Sequence, residues 1–153
     1  MVDVAVTRVL PAPRSLVAAV AGDPSQAVRW YANIRSVRWH GEPQVRVGAR
    51  MDFVASFLGR ELTYTYEIVD LVPGRRLVMR TSSGPFPMET TYTWWDEAAG
   101  AEGPCTGMEL RNVGTPRGFS RLASGVLPVA MRRAMRKDLQ RLERVLREEQ
   151  AGG

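Results

Sequence analysis

The sequence predicts an α+β fold in which one antiparallel sheet packs against a long C-terminal helix. From Met51 to Val113, apolar and polar residues alternate in runs separated by Gly and Pro, which is the period of half-buried strands. Beyond these runs, apolar residues recur in steps of three and four, the period of an amphipathic helix. The residues of this stripe are Leu127, Met131, Met135, Leu139, Leu142 and Leu146.

The N-terminal third predicts two strands with two short helices between them. The segment Val2–Leu10 is rich in β-branched residues and is expected to form the first strand. A brief helix is expected over Arg14–Ala21. A second begins at Asp23, an N-cap residue followed by Pro and, three residues on, Gln. We expect this helix to end at about Tyr31 or Asn33 and the second strand to cover Val37–His40.

The strongest strand signal is a hairpin around Gly59-Arg60. A two-residue turn there pairs Phe57 with Leu62 and Phe53 with Tyr66, and it places the apolar residues of both strands on one face. A slip of one residue would send every side chain to the opposite face, so this agreement supports the hairpin.

The later strands extend the same sheet. A turn at Pro73-Gly74 sets Leu77 beside Asp70 and Met79 beside Ile68. Another turn follows at Gly84-Pro85.

The end of the chain is expected to contain a mobile connection, a strand and a helix. The Gly-rich segment Asp96–Pro104 suggests the connection, and the last strand is expected over Thr106–Val113. The helix is expected over Pro116–Gln150, with a bend near Gly125 and Pro128.

The inward face of this sheet mixes apolar side chains with hydroxyls and an amide. Buried polar groups need hydrogen-bond partners, so a dry core favours Leu, Ile and Val. Binding sites are mostly apolar with a few placed polar groups. An ordinary core and a cavity wall are equally compatible with the pattern. Met131 and Met135, on the helix side, suit a wall that adapts to a ligand. The proposed wall comprises Phe53, Phe57, Tyr64, Tyr66, Thr90, Tyr92, Trp94, Asn112, Met131 and Met135.

Composition limits the classes of function. The chain has 153 residues, 44% hydrophobic and 24% charged, which suits one globular domain over residues 1–150. It contains one His and one Cys, so neither a zinc site nor a disulfide is expected, and we predict no cofactor. The N-terminal segment lacks the pattern of a secretory signal, and we expect a cytoplasmic protein.

The net charge of +5 is concentrated in the C-terminal helix region. From Arg117 onward there are nine basic and four acidic residues, whereas the rest of the chain has twelve of each. We interpret this surface first as a solvated helix face. Nucleic-acid binding is not predicted, because the aromatic residues fall on the inward face. Docking to anionic membranes is the lesser alternative, and the sequence leaves monomer and homodimer both open.

Five short motifs, in this order and spacing, resemble the START-like or SRPBCC superfamily, which includes polyketide cyclases/dehydrases and lipid-transfer domains. The motifs are Asp23-Pro24 with Trp30-Tyr31, Val47–Arg50, Glu67–Leu77, Gly84–Met88 and Asp138–Glu143. The resemblance implies a helix-grip fold: a seven-stranded antiparallel sheet wrapped around a long C-terminal helix, with two short helices after the first strand. It also implies a largely apolar cavity between sheet and helix.

Two functions follow from this resemblance: binding of a small hydrophobic or amphipathic ligand, and polyketide cyclisation in the same cavity. For cyclisation, the inward tyrosines would polarise carbonyls, and Asp70 would act as a base if it were buried. Arg50 and Arg80 fall on the outward face and His40 is expected on the surface, so no complete catalytic constellation is found. We therefore favour binding, assign no catalytic or metal residue, and leave the ligand unnamed.

Overall fold

The computed structural model describes residues 1–57, 59–84, 87–115 and 126–152, with Phe57 described by its backbone alone. The predicted α+β helix-grip architecture is confirmed: the described residues form a seven-stranded antiparallel sheet and a long C-terminal helix. The elements are β1 (Val2–Leu10), α1 (Arg14–Ala21), α2 (Ala27–Trp30), β2 (Ile34–His40), β3 (Arg50–Phe57), β4 (Arg60–Val72), β5 (Arg76–Ser83), β6 (Met88–Gly100), β7 (Gly103–Gly114) and α3 (Val126–Ala151).

The strand order across the sheet is β1-β7-β6-β5-β4-β3-β2. Strands β2 to β7 therefore form a meander, and the first strand joins it beside the last. Helix α3 packs along β1 and is tied to it by polar contacts. Arg132 Nη1 donates to the Ala5 carbonyl at 3.1 Å, and Arg8 pairs with Glu143 at 3.1 Å. The core lies between α3, the two short helices and the inward face of the sheet.

The connection after β1 forms the two short helices for reasons visible in the sequence. Asp23 caps the second one: its Oδ1 accepts from the Ser25 N–H at 2.9 Å, and Pro24 takes the first position. A 3₁₀ turn over Pro24–Gln26 leads directly into α2. Trp30, the last residue of α2, is fully buried, so this short helix is held by packing.

The predicted register of the β3–β4 hairpin was wrong by two residues. The structure pairs Phe57 with Arg60 and Phe53 with Tyr64. The turn falls one residue earlier than expected, where Gly59 adopts a φ of +75° that side chains rarely tolerate. A two-residue shift preserves the face of every side chain, so the predicted inward set survives.

The pairing across the next hairpin is also corrected at one position. Met79 lies opposite Ile68 as expected, but a bulge places Leu77 opposite Leu71 instead of Asp70. The extra residue turns the Asp70 side chain outward. There it is about half exposed and pairs with Arg76 at 2.6 Å.

The Gly-rich segment Asp96–Pro104 is not the mobile connection that its composition suggested. Strand β6 continues to Gly100 and β7 begins at Gly103, so only two residues separate them. The pairing of β6 with β7 shifts register between Glu97 and Gly100, so this part of the segment still belongs to the sheet. Gly103 has a φ of +115°, a backbone conformation that favours glycine, which explains why glycine occurs at this position.

Helix α3 has 26 residues and presents the predicted stripe to the sheet. Met135, Leu139, Leu142 and Leu146 are buried, whereas Leu127 and Met131 are half-buried. The predicted helical segment before Val126, including the bend at Gly125, lies outside the described residues. In the ranges that the structure covers, no helix combines the length and apolar character needed to cross a bilayer.

Candidate functional site

A pocket of about 210 Å³ lies between the sheet and the first two turns of α3. Aromatic and aliphatic side chains form most of its wall, with a few hydroxyl and amide groups among them. The lining residues are Tyr31, Asn33, Ile34, Phe53, Ala55, Ser56, Tyr64, Tyr66, Met79, Met88, Thr90, Tyr92, Asn112, Leu127 and Met131. Of the two alternatives for the inward face of the sheet, a filled core and a cavity wall, this part of the face forms a cavity wall.

Most of the proposed wall residues reach this pocket. Phe53, Tyr64, Tyr66, Thr90, Tyr92, Asn112 and Met131 line it. Trp94 and Met135 are buried in the core and do not belong to the lining. The side chain of Phe57 lies outside the described residues. That any of these residues binds a ligand stays a prediction.

A pair of tyrosine hydroxyls forms one polar point of the pocket. Tyr31 follows α2, Tyr92 lies in β6, and their hydroxyl oxygens are 2.6 Å apart. Burial raises the pKa of both groups well above the ordinary phenol value. Both phenols are therefore neutral at physiological pH and act as hydrogen-bond donors or acceptors, not as bases.

Thr90 and Asn112 form a second polar point on neighbouring strands. They pair directly across β6 and β7, and the Thr90 hydroxyl donates to Asn112 Oδ1 at 2.6 Å. Nearby, Phe53 and Tyr66 pack edge to face with ring centroids 5.3 Å apart. Burial raises the pKa of Tyr66 to about 12, so its hydroxyl is also neutral.

Asp138 is a buried carboxyl that the sequence analysis did not select. It lies on the inward side of α3, only 5% exposed, and its Oδ1 accepts from the Ala32 N–H at 3.1 Å. Burial raises its pKa to about 6, although the hydrogen bond from the Ala32 N–H and the charge of Arg141 both act to lower it. This bond fixes the segment that carries Tyr31 to the helix.

Eight described lining residues were absent from the predicted wall, among them Tyr31, and both Tyr31 and Asp138 carried a signal in the sequence. Tyr31 lies at the expected end of the second short helix, before the strand that rejoins the sheet. Asp138 is three residues after Met135 and seven after Met131, so helical periodicity places it on the buried stripe. An acid at such a position needs a specific reason, because burying a charge costs free energy.

The other groups considered for catalysis lie away from the pocket. Asp70 is exposed and paired, so the condition for its role as a base is not met. Arg50 pairs with Glu67 and Arg80 with Glu89 on the outward face. His40 is exposed, as expected, and its Nε2 lies 2.7 Å from Asp52 Oδ1. Within the described ranges, no three His, Cys, Asp or Glu side chains converge as metal ligands would.

A family model described as "Polyketide cyclase / dehydrase and lipid transport" matches residues 1–147. The chain belongs to this family. The match spans both strands that edge the sheet, the lining of the pocket and nearly all of α3. The resemblance inferred from the five motifs is thereby confirmed. Among curated protein sequences, none matches this member of the family.

Solved structures show the same fold as this polyketide cyclase/dehydrase family member. TTHA0849 from Thermus thermophilus has a TM-score of 0.75 at 21% identity, covering 96% of this chain and 98% of its own. NE0264 from Nitrosomonas europaea has a TM-score of 0.73 at 16% identity, covering 98% and 97%. The Zhui aromatase/cyclase from Streptomyces sp. R1128 has a TM-score of 0.68 at 22% identity, covering 99% and 98%. At these identities the likeness shows the fold alone.

Proposed function

We propose that this protein binds a small hydrophobic or amphipathic molecule in the pocket between the sheet and α3. The observation that carries the proposal is the lining itself: aromatic and aliphatic walls around a few hydroxyl and amide groups. Apolar ligand surface buried there contributes roughly 25 cal/mol per Å². A volume of about 210 Å³ lies below the roughly 300–1,000 Å³ of pockets for drug-sized ligands, which favours a molecule of one or two rings.

Native mass spectrometry of protein purified from cells tests this proposal. We expect a co-purified apolar molecule that is lost in Ala55→Trp, because Ala55 lines the pocket and an indole would fill it. Val54→Trp is the matched control, since residue 54 points to the opposite face of the same strand. Retention of the molecule in Ala55→Trp, or its loss in both variants, would argue against binding in this pocket.

A second candidate function is a cyclase/dehydrase-type reaction in the same pocket. The specific observation in its favour is Asp138, a buried carboxyl whose charge acts on the Tyr31–Tyr92 pair. Removal of a proton next to a carbonyl requires a base and a group that polarises the carbonyl. Turnover of a poly-ketone substrate, slowed roughly 100-fold in Tyr92→Phe, would support this candidate. Binding of the poly-ketone without product formation would exclude it.

The surface beside the pocket also supports docking of a carrier to anionic membranes. Val126 and Val129 are 70% and 68% exposed at the start of α3, next to Leu127 in the pocket wall. Arg133 and Arg136 follow on the exposed side of the helix. We expect salt-sensitive sedimentation with vesicles containing phosphatidylserine, lost in Arg133→Glu/Arg136→Glu. Equal sedimentation with neutral vesicles would contradict this.

A further inference from the structure

Among the described residues, the Tyr31–Tyr92 pair has one hydroxyl hydrogen without a hydrogen-bond acceptor. Two hydroxyls 2.6 Å apart share a single hydrogen bond, in which one donates and the other accepts. The accepting hydroxyl keeps its own hydrogen. Tyr92 is buried, Tyr31 is half-buried, and both line the pocket, so a ligand there can accept that hydrogen. The pair therefore supplies one donor to a ligand.

Asn112 supplies donors at the second polar point. Its Oδ1 accepts from Thr90, and among the described residues both hydrogens of its amide NH₂ remain without an acceptor. The lining has further hydroxyls at Ser56, Tyr64 and Tyr66, and among the described lining residues none bears a formal charge. The polar points of the pocket thus favour neutral ligands that accept hydrogen bonds.

The nearest buried charge to these donors is negative. Asp138 lies on α3 outside the pocket lining, and its Oδ1 accepts from the N–H of Ala32, the residue after Tyr31, at 3.1 Å. Its charge contributes to the raised pKa of both Tyr31 and Tyr92. From the preceding segment it meets the Ala32 N–H, and from its own helix it is attracted by Arg141, which is exposed. In the part of the chain that the structure describes, no ion pair neutralises this carboxylate.

We propose that the pocket takes uncharged ligands with a hydrogen-bond-accepting carbonyl, such as aryl ketones or esters, and that Asp138 excludes carboxylates. The inference rests on the ligand-binding function proposed above. A ligand carboxylate at the tyrosine pair would place two negative charges near each other in a poorly solvated space. A ketone oxygen accepts the same hydrogen bond without that repulsion.

Two ligands of nearly equal shape test this directly: 2-acetylnaphthalene and 2-naphthoate. The ketone carries a methyl group where the carboxylate carries a negatively charged oxygen. By isothermal titration at pH 8, we expect the wild type to bind the ketone at least about tenfold more tightly than the carboxylate. Asp138→Asn keeps an oxygen for the Ala32 N–H and is expected to raise 2-naphthoate affinity by several-fold. Asp70→Asn is the control, because it removes an exposed charge outside the lining and should leave the preference unchanged.

A measurement on the wild type alone keeps the test independent of how the variant folds. 2-Naphthalenesulfonate stays ionised at all relevant pH values, so changes in its affinity report on the protein. Since burial raises the pKa of Asp138 to about 6, we expect this anion to bind several-fold more tightly at pH 5 than at pH 8. The affinity for 2-acetylnaphthalene should not change.

The outcomes separate the two proposals. Equal wild-type affinity for the ketone and the carboxylate would overturn the charge selection and leave the binding pocket standing. A preference for the ketone that persists undiminished in Asp138→Asn and at pH 5 would overturn the role of Asp138. Failure of the ketone to bind the wild type would overturn the ligand-binding function, and the inference would fall with it.

Discussion

At the residue scale, two hydroxyls of the pocket lining, those of Tyr31 and Tyr92, lie near a buried carboxyl outside the lining, that of Asp138. Tyr31 and Tyr92 are hydrogen-bonded to each other, whereas Asp138 has the Ala32 N–H as its partner among the described residues. Removing such groups from water costs free energy, which hydrogen bonds in the folded state offset in whole or in part. The contribution of each residue to stability can be tested by a substitution that changes a single group of its side chain.

The first prediction concerns Asp138 and pH. Its folded-state pKa of about 6 exceeds the usual Asp value of about 3.9, so the native state binds more protons than the unfolded state between these pH values. This group therefore contributes relative stability below about pH 4 that is lost as pH rises through about 6. Asp138→Asn should be more stable than wild type above about pH 6, by about 1–3 kcal/mol, with the difference vanishing near pH 4.

Urea unfolding of both proteins from pH 4 to pH 8 measures this difference. Comparing the two cancels the opposite effects of Asp3 and Asp52, whose pKa values are lowered by hydrogen bonds from Arg111 and Thr65. A constant difference, or one that grows toward low pH, would show that Asp138 is not the buried acid described above.

The second prediction concerns the tyrosine pair. Tyr92→Phe leaves the Tyr31 hydroxyl buried without its partner, which should lower the free energy of unfolding by about 1–3 kcal/mol. Tyr64→Phe is the control, because burial is the one cause found for its raised pKa and no protein partner is found among the described residues. We expect it to change stability by less than about 0.5 kcal/mol. If Tyr92→Phe and Tyr64→Phe lowered the free energy of unfolding equally, measured by thermal and by urea unfolding, the pair would have no special role in stability.

At the scale of elements, sequence patterns predicted which strands form and which side chains point inward better than they predicted how the strands pair. Alternation fixes which side chains point inward, so the β3–β4 pairing could be wrong by two residues while its faces were right. The bulge near Asp70 arises from pairing with a neighbouring strand, which local sequence does not encode. The Gly-rich end of β6 was mistaken for a connection because composition alone does not reveal a partner strand.

The third prediction concerns the β6–β7 hairpin, where a glycine makes room for an aromatic ring. Trp95 lies opposite Gly107, and a β-carbon at 107 would overlap the indole. Gly107→Ala should therefore destabilise the protein by about 1–3 kcal/mol. In a Trp95→Ala background the overlap is gone, and the same substitution should have little effect. A double-mutant cycle by urea unfolding measures this coupling, and equal losses in both backgrounds would refute it.

At the scale of the whole molecule, the pocket depends on how far the sheet stands from α3. The family resemblance implied the helix-grip architecture, and the helix stripe and strand alternation predicted a sheet packed against the C-terminal helix. These patterns predicted seven of the fifteen described lining residues. They did not distinguish Trp94 and Met135, which fill the core, from Met131, which faces open space. That difference is set by sheet curvature and helix position, which arise from the packing of all elements together.

The methionines provide the most direct test of the pocket as the ligand site. Met79, Met88 and Met131 line it, whereas Met51, Met108 and Met135 are buried elsewhere in the core. With ¹³C-methyl methionine labelling, an NMR titration with 2-acetylnaphthalene should shift the first three signals saturably and leave the other three nearly unchanged. Shifts confined to the second group or to the exposed Met1, or no saturable shift at all, would contradict ligand binding between the sheet and α3.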